Sequence, residues 1–120
     1  MLRYCNAGHN PPYLLRLQGG HDRLGLTGVP FGVDAELPCQ IDEVVLLPGD
    51  ALFLFSDGIT EAFDAADEEF GSARLEAALR AVRGGSAAEL VSGVLEATTV
   101  FADGADQSDD ITCLALVFRP

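Results

Sequence analysis

At 120 residues, 48% of them hydrophobic and with a mean hydropathy of +0.22, the chain is no disordered tail but one compact domain with apolar material enough for a core. Nineteen acidic residues against seven basic ones give a formal charge of −12, a field that repels phosphate backbones and anionic lipid and so argues against nucleic-acid and peripheral membrane binding. The same charge either serves solubility or attracts divalent cations.

Residues 1–5 and 13–17 are short apolar runs that predict strands, with Asn6-Ala7-Gly8-His9-Asn10-Pro11-Pro12 as an ordered loop between them, too long for a tight hairpin and too stiff for a helix. Gly19-Gly20 reverses the chain toward strand-like residues 22–24, and Thr27-Gly28-Val29-Pro30-Phe31-Gly32 makes a second glycine-punctuated loop. Residues 41–47 and 51–55 flank Pro48-Gly49-Asp50 and predict a β-hairpin. Two amphipathic helices follow. In the first, Leu75, Ala78, Leu79 and Val82 recur at helical spacing until Gly84-Gly85; in the second, Ser86 and Glu89 form a capping box ahead of Leu90, Val91, Val94 and Leu95. Residues 102–110 are small and acidic, and residues 111–118 predict a central apolar strand. No repeat or linker divides the chain. It carries no apolar stretch near the roughly 20 residues of a membrane span and no secretory leader, so a soluble, cytoplasmic location is expected.

Cys5, Cys39 and Cys113 are odd in number and widely spaced, which predicts neither a disulfide framework nor a structural zinc site. Cys5 and Cys113 fall in apolar runs and read as buried, inert thiols. Carboxylates are better placed for chemistry. Asp57, in Ser56-Asp57-Gly58-Ile59-Thr60-Glu61-Ala62, stands on a glycine turn directly after an apolar strand, and Ser108-Asp109-Asp110 opens the last strand. Each acid could simply be a turn residue. Adjacent acids repel unless a cation neutralises them, and Mg²⁺ or Mn²⁺ favour such rigid carboxylate oxygens. His9 could meet a metal or a substrate phosphate, or be an ordinary loop histidine. Asp103, Asp106 and Asp109 lack the order and closing Glu of an EF-hand loop.

The order of these motifs, from the Asn6 to Pro12 loop with Tyr13, through Gly28-Val29-Pro30-Phe31-Gly32, Pro48-Gly49-Asp50, Ser56 to Ala62 with Phe70-Gly71, and Asp109-Asp110-Ile111-Thr112, resembles the SpoIIE-type branch of the metal-dependent (PPM) serine/threonine protein phosphatases. The resemblance runs nearly end to end. It implies an α+β fold, two antiparallel sheets packed as a sandwich with helices outside. It also implies a two-metal Mn²⁺ or Mg²⁺ site in the complete domain, with Asp57 and Asp109 matching metal ligands and Asp110 beside them. No catalytic side chain beyond the metal ligands is implied, because metal-activated water attacks the phosphoserine or phosphothreonine ester directly. His9, where relatives can carry an aspartate, is the candidate contact to the substrate.

The implied partner is a phosphorylated bacterial signalling protein of the anti-sigma-factor antagonist class. Family members also carry an upstream Asp and an Asp-x-x-Gly-His-Gly motif, and neither precedes Asn6. Residues 1–120 are therefore expected to be the C-terminal portion of one phosphatase domain. The alternative is a catalytically incomplete module that binds a partner or self-associates through an uncovered sheet.

Overall fold

The computed structural model describes residues 1–25, 40–105 and 110–119. The second glycine loop, Cys39, Asp106 and Asp109 lie outside the described residues. Four strands form an antiparallel sheet in the order β3 (His21–Arg23), β2 (Tyr13–Leu15), β5 (Ala51–Phe55) and β6 (Cys113–Val117). Two more, β1 (Leu2–Tyr4) and β4 (Asp42–Val44), make a separate antiparallel pair. After β5 come the single turn α1 (Asp57–Thr60) and the helices α2 (Gly71–Ala81) and α3 (Ala87–Ala102).

Alternation along the strands sorts the side chains into two layers. Tyr13, Leu15, Ala51, Phe53 and Phe55 point to the helices and pack with Ile59, Phe70, Leu75, Leu79, Leu90 and Val94 in the main core. Leu14, Leu24 and Leu52 point the other way and meet Leu2, Tyr4, Val44 and Leu46, which joins the two sheets face to face. Each fully buried Leu or Phe of this kind contributes about 1.5–3 kcal/mol of transfer free energy. The mixed helix and antiparallel-sheet architecture is the α+β sandwich expected. The capping box also forms: Ser86 Oγ accepts the Glu89 N–H at 3.1 Å, and Glu89 Oε1 accepts the Ser86 N–H at 3.2 Å.

Three expectations need correction. Residues 41–47 and 51–55 flank a real turn, with the Asp50 N–H on the Leu47 carbonyl at 2.9 Å, yet they do not pair; β4 joins β1 and β5 lies between β2 and β6. Side chains compete successfully for the backbone a hairpin would have used. Arg16 Nη1 donates to the Val45 carbonyl at 2.7 Å, and Asp50 Oδ2 accepts the Leu47 N–H at 2.9 Å. The last strand is not central but ends the sheet among the described residues. Cys113, Ala115 and Val117 face the core, while Leu114 and Leu116 are 56% and 47% exposed on the opposite face.

Cys5 is neither buried nor a free thiol. The alternation of the short strand β1 buries Leu2 and Tyr4 partly and turns Arg3 and then Cys5 to solvent, and Cys5 is disulfide-bonded. Cys113 does keep a free thiol, and burial pushes its pKa up, so it stays in the poorly nucleophilic protonated form.

Candidate active site

The carboxylate end of the molecule is built where β5 and β6 meet the loop before β2. β5 is buried up to Phe55, and the chain then surfaces at Ser56 and Asp57. Ser56 begins α1, but its hydroxyl does not cap that turn. It reaches across to the other strand, donating to the Asp110 carbonyl at 3.0 Å and accepting the Thr112 N–H at 2.9 Å, while the Ser56 N–H donates to the Thr112 carbonyl at 2.9 Å. Gly58 lets this approach happen. It is buried, and a Cβ there would run into the carbonyl of Asp110, which is backbone and cannot swing aside. The sequence Ser-Asp-Gly thus docks Asp110 and Thr112 against the turn that carries Asp57.

The third wall is the loop at residues 6–12, ordered as expected. Asn6 is its internal brace: buried, it accepts the N–H groups of Gly8 and His9 at 3.2 and 2.9 Å and donates to the Leu24 carbonyl at 3.2 Å. At the far end, Arg23 donates to the Pro11 carbonyl through Nε at 2.9 Å and Nη2 at 2.7 Å, with its guanidinium 4.0 Å from the centre of the Tyr13 ring. From this loop Asn10 Nδ2 donates to Asp57 Oδ1 at 2.6 Å. His9 Nδ1 lies 2.6 Å from the Asn10 carbonyl, and the ring borders a cavity of about 220 Å³ together with Ser56 and Thr112.

Of the residues singled out from sequence, Asp57 is therefore exposed at a strand mouth, Asp110 is held nearby through its backbone, and His9 precedes the Asn10 that reaches Asp57. Asp109 lies outside the described residues. Asp57 Oδ1 is engaged by Asn10, whereas Oδ2 takes no hydrogen bond among the described residues, which leaves one oxygen able to meet a hard cation. Among the described residues no group of three His, Cys, Asp or Glu side chains is gathered as a complete cation site. Asn10 and Ser56 went unrecognised as positioning groups, because nothing local in either residue signals a partner 47 or 54 positions away.

Comparison with known proteins shows the family and the fold. The family model for stage II sporulation protein E (SpoIIE) matches residues 1–119. The chain belongs to the SpoIIE family. A curated relative, protein IcfG of Synechocystis, is 34% identical over 115 residues, which is 96% of this chain but 18% of IcfG. The crystal structure of the RsbU and RsbW domains of Rv1364c from Mycobacterium tuberculosis superposes with a TM-score of 0.69 at 25% identity, covering 98% of this chain and 32% of that one. The PP2C phosphatase domain of SpoIIE from Bacillus subtilis, with a fragment of its regulatory domain, gives a TM-score of 0.79 at 19% identity over 98% of this chain and 34% of that one. The chain thus has the fold of part of a PP2C-like phosphatase domain and spans about a third of the length of these solved chains.

Proposed function

We propose that residues 1–120 are the C-terminal portion of a SpoIIE-type phosphatase domain that hydrolyses phosphoserine or phosphothreonine on a regulatory protein, with Asp57 and Asp109 as metal ligands and Asp110 beside them. The observation that carries this reading is the exposed Asp57 carboxylate, held by one oxygen at the mouth of β5 in a chain that matches the SpoIIE model from residue 1 to 119. Mn²⁺ or Mg²⁺ bound there would supply an activated water and positive charge for the phosphoryl oxygens. This chain's residues orient and hold. Asn10 fixes one Asp57 oxygen, Ser56 and Gly58 keep the Asp110 backbone against the turn, and His9, in the same loop as Asn10, is the proposed contact to the substrate.

The substrate is a phosphorylated signalling protein of the anti-sigma-factor antagonist class, met in the cytoplasm. The joining of RsbU and RsbW domains in the mycobacterial neighbour supports that class. No helix among the described residues is long and apolar enough to cross a membrane. Full-length protein should hydrolyse a phosphoserine peptide only with Mn²⁺ or Mg²⁺ and lose this activity in Asp57→Asn. The 120-residue chain alone should be inactive, because it brings few ligands for two cations that each favour about six oxygens. Hydrolysis that persists in Asp57→Asn would overturn the assignment.

A second reading, a catalytically incomplete module that binds a partner or its own copy, is favoured by the exposed leucines of β6 and by an apolar cavity of about 610 Å³ between the sheets, lined by Leu2, Tyr4, Leu24, Leu52 and Leu54. It predicts that calorimetry finds no Mn²⁺ binding dependent on Asp57.

A further inference from the structure

We infer that Asn10 is a positioning residue for the Asp57 carboxylate, setting which of its oxygens is presented to a cation; this rests on the metal-ligand reading of Asp57. At 2.6 Å the Asn10 amide makes a short, charge-assisted hydrogen bond to Oδ1 of an otherwise exposed side chain. Without it, Asp57 would be free to rotate about two bonds at the protein surface. With it, Oδ1 is occupied, while Oδ2 takes no hydrogen bond among the described residues.

The loop does not need this bond for its own integrity. Asn6 braces Gly8, His9 and Leu24, Arg23 holds the Pro11 carbonyl, and the Leu24 N–H donates to the Pro12 carbonyl at 2.9 Å. Asn10 therefore projects from a mount already fixed at both ends, which lets a side chain hold a ligand rather than be held by it. An amide also suits the task better than its neighbour His9 would. It does not titrate, so its donor is present at every pH, and it adds no charge that would compete with a cation.

The test is Mn²⁺ titration of full-length protein by calorimetry, alongside thermal melting of the metal-free form. Asn10→Leu, of similar volume but without the donor, should weaken Mn²⁺ binding by about 10–100-fold, as loss of an outer hydrogen-bond partner does at metal sites, and lower the metal-free melting point by only a few degrees. Asn10→Gln keeps the amide and should lose less than Asn10→Leu. Unchanged Mn²⁺ affinity in Asn10→Leu would overturn the inference. So would a fall in metal-free melting temperature that accounts for the loss and that Asn10→Gln does not relieve. Asp57→Asn serves as the control: if it abolishes binding while Asn10→Leu does not, only the role of Asn10 fails, and if it too binds normally, the metal reading of Asp57 fails with it.

Discussion

Ser56 and Gly58 do separate work on either side of Asp57. The Ser56 hydroxyl serves as donor and acceptor between the ends of two strands, and Gly58 permits the close approach that makes this reach possible. Ser56→Ala removes both bonds and leaves the Thr112 N–H without its side-chain acceptor, at a cost of about 1–2 kcal/mol in urea unfolding. Gly58→Ala should cost more, about 2–3 kcal/mol, because the new methyl meets backbone rather than a flexible side chain. Equal, near-zero effects would show that the two loops are not held together in this way. The exposed place of Asp57 on a turn after β5 was legible from the sequence, since an acid on a glycine turn after an apolar run is a local pattern. Its partner Asn10 was not, because the hydrogen bond joins residues brought together only by the pairing of β2 with β5.

The elements divide along the same line between local and distant causes. Helix α3 was readable because Ser86 and Glu89 cap it from within one turn, and α2 because its apolar positions recur at helical spacing. The hairpin at Pro48-Gly49-Asp50 was misread because turn chemistry specifies a reversal but not which strand lies alongside. Asp50 decides that. Its buried carboxylate accepts the N–H groups of Leu17 at 3.0 Å and Leu47 at 2.9 Å and pairs with Arg16 Nη1 at 2.8 Å, tying the turn to the end of β2.

Burial alone would raise the pKa of Asp50, but these donors outweigh it and hold the carboxyl below its usual range. A folded-state pKa below the unfolded value gives stability that is fully present above pH about 4 and disappears as pH falls through the lowered folded value. Asp50→Asn should therefore be less stable than the wild type by about 2–3 kcal/mol at pH 7, with the gap closing below pH about 4 in thermal melts. A gap that stays constant down to pH 2 would contradict this assignment.

Across the whole molecule, the four-stranded sheet is covered by helices on one face and only partly by the β1–β4 pair on the other, and Leu114 and Leu116 emerge where that cover stops. The apolar run of the last strand led to the expectation of a central strand because both of its faces are hydrophobic. Leu114 and Leu116 on one of those faces are instead about half-exposed. Exposed leucines side by side on a strand favour association. Sedimentation of the isolated 120-residue chain should show species heavier than a monomer, and the double variant Leu114→Lys/Leu116→Lys should return it to monomer. A wild-type chain that stays monomeric at high concentration would argue against an adhesive face.

Motif order points to the sandwich and the SpoIIE family, and the structure and the family match show them; the central proposal, a metal at the carboxylate end, turns on Asp57. Calorimetric titration of full-length protein with Mn²⁺, wild type against Asp57→Asn, tests that most directly. Binding in the wild type and its loss in the variant are predicted; equal binding by both would contradict the account.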